Sequence, residues 1–285
     1  MKVWQAIIIL LLMPALAIAG GRGAVDDGYV EQSSWRLAMA VGFGQSSSPL
    51  FDAPNMPLYL LPDISYYGKV GFFDNGILGA GLDVTPHWSV SLVSRLNPEK
   101  GYFYRWHVSR IPSFEQTFSS MPTVSMEPRS AEQRVSVNEV NRRPTAWDGG
   151  VQLNAWFDDW TLRLNGWTDI SGKHHGHELS AVAGRHYQTG WGLWRLSAGL
   201  YWKSENLMQR YYGLAEDEPL HLPRYQPTAS LQPELELSWS LPLSAGWRLM
   251  AFYRYRWLDS AMTQSPLVQQ SYQHSWFLGW SYRFF

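Results

Sequence analysis

The chain has 285 residues, with 16 Trp, 15 Tyr and 12 Phe, no Cys, and a formal net charge of -1. The balanced charge leaves no electrostatic footprint for nucleic acid, so no nucleic-acid partner is expected. The missing cysteines exclude a disulfide-stapled module and a lipid-anchored N-terminus.

Aromatic residues make up 15% of the chain and charged ones 16%, below the usual ~25%. Mean hydropathy is nevertheless -0.25. Extended segments with one face in lipid and the other in a polar lumen give that combination.

In chain order, Lys2, the apolar run from Ala6 to Ile18 and the small-x-small triplet Ala17-Ile18-Ala19 read as a signal peptide, 1–19, cleaved after Ala19. No later window of ~18 apolar residues occurs, so spanning helices are not expected. In hydrocarbon the remaining solution is a closed barrel, because every backbone donor and acceptor needs a partner. Residues 20–285 are therefore expected to form an all-β transmembrane antiparallel barrel.

Period-two alternation carries the strand assignment. Trp35, Leu37, Met39, Val41 and Phe43 alternate with Arg36, Ala38, Ala40, Gly42 and Gly44. Strands are expected at 34–46, 58–67, 69–73, 77–85, 87–96, 145–157, 160–170, 178–188, 191–203, 227–241, 246–258 and 272–285. That makes twelve, an even number as single-chain bacterial barrels require. The stretch 97–144, with Pro112, Pro122, Pro128 and Pro144, reads as a long polar loop or a lumen plug. Short connections at 158–159, 189–192 and 242–246 alternate with longer ones at 171–177, 204–226 and 259–271, as periplasmic turns alternate with outer loops. The last strand puts Trp276, Leu278, Trp280, Tyr282 and Phe284 on one face, the type of terminal strand that the barrel-assembly machinery takes up.

Two constellations could carry chemistry. Asp158-Asp159 as a two-residue turn sets Trp156 opposite Thr161, Asn154 opposite Arg163 and Asp148 opposite Asp169. Two facing carboxylates call for a cation or a proton between them. With His174, His175 and His177 close in sequence, they form a divalent-cation or lipopolysaccharide-bridging site, or else a solvated polar loop. The hairpin of 227–241 and 246–258 is expected to set Glu234 against Arg254 and Gln232 against Arg256, with Glu236 diagonal to Arg254. That gives a lumen charge ladder, or a charged constriction for a small solute. Arg185 falls on the lipid face near a turn, where it snorkels to the rim. Ser171 and Ser180 lie near the histidines in no nucleophile motif, so no enzyme and no cofactor are expected.

The chain resembles the MipA/OmpV family of outer-membrane proteins. The resemblance rests on Leu61-Pro62-Asp63-Ile64-Ser65-Tyr66-Tyr67, Phe72-Phe73-Asp74-Asn75-Gly76 with Leu78-Gly79, and Asp169-Ile170-Ser171-Gly172 with Gly176. It continues in Tyr211-Tyr212-Gly213, Ser265-Pro266-Leu267-Val268 and Gly279 to Tyr282-Arg283-Phe284. It implies a non-enzymatic outer-membrane scaffold that joins a lytic transglycosylase to a peptidoglycan synthase. Outer-membrane lipid and lipopolysaccharide would surround it. A small-solute channel and a surface adhesin using 204–226 and 259–271 are the alternatives.

Overall fold

A computed structural model describes residues 34–103 and 134–284 apart from Asp217 and Leu220. The expected signal peptide 1–19 and residues 104–133 of the polar excursion lie outside the described residues.

Twelve antiparallel strands close into a barrel. They are β1 (Ser34–Ser46), β2 (Met56–Pro57 and Leu60–Tyr67, two pieces along β1), β3 (Gly71–Asp74), β4 (Ile77–Thr85), β5 (Trp88–Leu96) and β6 (Trp147–Phe157). The second half adds β7 (Trp160–Asp169), β8 (His177–Thr189), β9 (Gly192–Lys203), β10 (Ser230–Ser244), β11 (Trp247–Trp257) and β12 (Tyr272–Arg283). Each strand pairs with its sequence neighbours, and β12 returns to β1 from Ala38↔Arg283 to Ser46↔Ser275. Closure pairs the first and last strands, as hydrocarbon requires, while the four-residue β3 covers only Ser65–Tyr67 of β2.

The expected strand 58–67 starts two residues earlier, at Met56. It stays tied to β1 across its break, since Leu58 N–H donates to the Gly44 carbonyl and Tyr59 accepts from Gly42 N–H. The expected strand 69–73 is β3, at 71–74. Asn75 and Gly76 follow it with φ of 47° and 94°, backbone that Asn tolerates and that Gly, lacking a Cβ, adopts freely, and turn the chain straight into β4.

Connections 68–70, 86–87, 158–159, 190–191 and 245–246 cluster at the end that also holds Ser34 and Arg283. Among the described residues, the opposite end carries 47–55, 97–103, 134–146, 170–176, 204–229 and 258–271. The first end is periplasmic by the short-turn rule.

The two faces separate as alternation requires. Phe43, Leu82, Leu92, Val151, Leu179, Leu278 and Trp280 point outward and are exposed. Ser65, Ser91, Gln152, Ser180, Ser197, Ser238 and Ser275 point inward and are buried. At the β1/β12 seam, Gly42 stands opposite Gly279. A Cβ on Gly42 would fall 2.2 Å from the Leu278 carbonyl oxygen and 2.8 Å from the Phe277 ring. The glycine pair thus clears room for Phe277 inside the barrel. Its ring stacks on Phe252 (centroids 5.8 Å apart) within an apolar layer of Ala40, Met56, Leu58, Leu61 and Met250. Each large side chain buried there contributes about 1.5–3 kcal/mol.

The long loops fold over the outer mouth as a lid with its own core. Helix α1 (Glu205–Tyr212) buries Leu207, Met208, Tyr211 and Tyr212 along one face. A short helix, α2 (Ser260–Thr263), is capped by the Asp259 carboxylate, which accepts from Ala261 N–H. These pack with Leu214, Leu267 and Val268 that follow them in their own loops, and with Leu50 and Val135 from two other outer loops.

Candidate functional site

The lumen beneath the lid is crossed by charge. On β10 and β11 the alternation sends Glu234, Glu236, Arg254 and Arg256 inward. Glu234 stands opposite Arg256 and Glu236 opposite Arg254. This corrects the expected register by two residues. The turn closes on Ala245-Gly246, with Gly246 at φ 79°, and a bulge at Pro242/Ser244 absorbs the odd residue. Lumen placement survives because a two-residue slip keeps the face. Arg256 Nη2 lies 2.7 Å from Glu234 and Arg254 Nη2 lies 2.9 Å from Glu236. Tyr201 Oη donates to Glu234 at 3.1 Å, and the Arg256 guanidinium sits 4.1 Å above the Tyr201 ring.

A second layer of ions lies nearer the outer mouth. Arg95 Nη2 is 3.0 Å from Glu178 and its guanidinium stacks 4.1 Å over Trp167. Lys203 Nζ donates to Glu99 Oε1 at 2.6 Å and to Gln232 at 3.2 Å. Glu99 belongs to a 3-10 turn (Pro98–Phe103) that dips from the lid, and Tyr212 of α1 donates its hydroxyl to the same carboxylate. Burial first, and the Glu99 carboxylate second, hold the Tyr212 phenol well above its ordinary pKa, so it stays a donor. Above this layer Arg143 Nη1 meets Glu218 at 2.5 Å within the lid.

Of the five residues expected to share a cation site, the structure gathers three. Asp148, Asp169 and His174 bring ligand-type atoms within 4.8 Å of one another. Asp148 faces Asp169 as the two-residue turn at 158–159 dictates, and Trp156↔Thr161 and Asn154↔Arg163 follow. The side chains of His175 and His177 are exposed and lie outside that group.

The bonds within the cluster are specific. Asp169 accepts from Ser171 N–H (2.8 Å), His174 N–H (2.6 Å) and His175 N–H (2.9 Å), which shapes the loop. His174 Nδ1 accepts from Gly176 N–H at 3.0 Å. A neutral ring therefore carries its hydrogen on Nε2, which points at Asp148 Oδ1, 3.1 Å away. Asn97 donates to the other Asp148 oxygen at 2.7 Å. A cation at this point would have to displace the Nε2 hydrogen. As it stands, the cluster pins two outer loops to the barrel rim.

Lys203, Glu99, Arg95 and Glu178 were not singled out in the sequence. Lys203 shares the inward parity of Ser197 and Tyr201, which marks a cation buried in the lumen. Its partner lies 104 residues away with no local signal. Arg185 is where alternation put it, between the Trp160 and Tyr187 rings and 3.8 Å from Asp159.

A family model described as MltA-interacting protein MipA matches residues 37–284. The MltA-interacting proteins of Escherichia coli (strain K12) and Shigella flexneri are each 35% identical over 88 residues. That is 30% of this chain and 36% of each relative, so the match spans about a third of their length. Among solved structures, Acinetobacter baumannii OccAB3 has a TM-score of 0.38 at 9% identity, covering 89% of this chain and 65% of that one. A porin refined at 1.8 Å has 0.36 at 8% identity, covering 88% and 99%. Likeness at that level adds nothing to the strand pairing itself.

Proposed function

Because the chain belongs to the MltA-interacting protein MipA family and is an outer-membrane β-barrel, we propose that it works as a non-enzymatic envelope scaffold. Its periplasmic turns and rim hold a lytic transglycosylase and a peptidoglycan synthase near each other. The observation that carries this reading is the family match over residues 37–284. The filled lumen supports it against a small-solute channel. Two layers of buried ion pairs and a lid with its own apolar core occupy the path that a solute would take. Outer-membrane lipid and lipopolysaccharide would surround the exposed apolar face. Trp276, Leu278 and Trp280 on that face of β12, continued by Tyr282 and Phe284, would serve the barrel-assembly machinery.

Tagged full-length protein, extracted in detergent, should retain both a purified lytic transglycosylase and a purified synthase on affinity resin. Retention no better than on bare resin would end the scaffold reading. In planar bilayers the protein should stay silent, and discrete openings would favour the channel.

A further inference from the structure

On the lipid face a furrow runs up β7 to the outer rim. The register sets one row of outward positions across four strands, Val151 on β6, Gly166 on β7, Leu179 on β8 and Trp202 on β9. Val151, Leu179 and Trp202 are exposed, and Gly166 puts no side chain between them. One row further out, Thr168 stands opposite Gly149 on one side and His177 on the other. The result is a cavity of about 390 Å³ with Gly166 and Thr168 as its floor and Val151, Leu179, His177 and Trp202 along its walls. That volume lies within the ~300–1,000 Å³ of small-molecule clefts. A Cβ on Gly166 would meet only Leu179 Cδ2, at 3.4 Å, an ordinary contact. The strand pairing therefore does not require a glycine there, yet the space is kept open.

The furrow opens upward at the loop 170–176. Lys173 and His175 in that loop, and His177 just after it, have exposed side chains. Among the described residues Lys173 enters no ion pair. Asp169, opposite the buried Asp148, turns inward and spends its carboxylate on the N–H groups of Ser171, His174 and His175. The outward side of the rim thus sets an ammonium and two imidazoles, all hydrogen-bond donors, over an apolar slot. A slot one side chain wide suits an extended acyl chain and not a helix ~10–12 Å across. By the short-turn rule this end faces outward. The outer leaflet there is built of lipopolysaccharide, whose acyl chains hang from a phosphorylated sugar.

We propose that this furrow seats one acyl chain of a lipopolysaccharide molecule, with a phosphate of its sugar held by Lys173, His175 and His177. Contact with the chain alone would not choose among lipids, because hydrocarbon surrounds the whole barrel. The donors at the mouth of the furrow make the choice. The inference stands on the outer-membrane placement and not on the scaffold reading.

Full-length protein, folded in detergent and checked by heat-modifiable gel migration, would be titrated with purified lipid A, the acylated and phosphorylated end of lipopolysaccharide. Native mass spectrometry counts the lipid bound. Phosphatidylglycerol and lipid A stripped of its phosphates serve as comparisons. One lipid A per barrel is expected, in preference to both. Gly166→Leu, which fills the floor, and Lys173→Ala, which removes the ammonium, should each weaken binding about tenfold. Ala80→Leu, which adds bulk on the exposed face of β4, should leave it unchanged. If Gly166→Leu does not fold, Lys173→Ala and the stripped lipid carry the test. Absent lipid A binding, equal binding by folded Gly166→Leu or by Lys173→Ala, or an equal loss in Ala80→Leu overturns the proposal. So does equal binding of phosphatidylglycerol or of the stripped lipid. None of these positions lies on the periplasmic rim, so each variant should still retain the transglycosylase, and failure here is distinct from failure of the scaffold reading.

Discussion

Replacing Lys203 with Met removes one member of a buried pair and leaves the Glu99 carboxylate in place. Both side chains are at most 2% exposed, so water cannot take over the lost role. Breaking such a pair from one side costs about 3–5 kcal/mol. The Tyr212 hydroxyl still donates to Glu99, so the carboxylate is not left bare and the cost falls at the low end of that range. A net cost near ~3 kcal/mol raises the opening constant about 100-fold, at ~1.4 kcal/mol per tenfold. The cost should fall on the lid, because Glu99 enters the lumen from the 3-10 turn and not from a strand. Hydrogen exchange read by mass spectrometry should therefore quicken in peptides covering 98–103 and 205–212 while β10 to β12 stay protected. The double variant Lys203→Met/Glu99→Met removes both charges and should regain most of the protection. Unchanged exchange in the single variant, or a double variant worse than the single, would refute the reasoning.

Arg256→Gln should lower the heat-modifiable unfolding midpoint of the barrel, at a cost of about 3–5 kcal/mol, because Glu234 is then left buried without its 2.7 Å partner. Tyr201→Phe, which removes one 3.1 Å hydrogen bond to the same carboxylate, should cost about 1 kcal/mol in that assay. His174→Phe should loosen the 170–176 loop by about 1–3 kcal/mol, seen as faster protease cleavage there, since Asp148 loses its Nε2 donor. Zinc titrated into wild-type protein at neutral pH should give no heat at micromolar concentrations, because a neutral His174 ring directs its Nε2 hydrogen at Asp148; strong binding would establish the cation reading. Arg185→Leu should change stability in lipid vesicles by less than about 1 kcal/mol, as its rim position lets the charge reach water.

Much of this fold could be read in advance because a barrel strand must alternate. Trp35 to Phe43 and Trp247 to Trp257 declare their faces residue by residue, and the two-residue turn at 158–159 fixed Asp148 against Asp169. Register failed where the expected turn at 242–246 tightens to Ala245-Gly246, with a bulge at Pro242/Ser244 that composition does not announce restoring the face. The expected end of β10 at 241 also fell short, since the strand runs to Ser244 and starts at Ser230 instead of 227. Helix α1 was hidden inside the expected loop 204–226. Eight residues are too few for a period to stand out, and its stability comes from docking Leu207, Met208, Tyr211 and Tyr212 into a core made by other loops. The same physics explains the candidate site. Asp148 and Asp169 are local to a hairpin and could be paired on paper, whereas Glu99 reaches Lys203 only after the mouth has folded.

The lid also bears on biogenesis. Where the first and last strands meet, the first outer loop is knotted to the last. Leu50 bridges Val268, Gln269 N–H donates to the Pro49 carbonyl, and Phe51 N–H donates to that of Leu267. Ser47 and His274 exchange two further bonds. A clasp of this kind has to wait until both margins of the sheet have arrived, so the polypeptide must enter the bilayer with its outer end gaping. Once fastened, it turns insertion into a ratchet: unzipping that margin from within the membrane would first require tearing away the cap outside it.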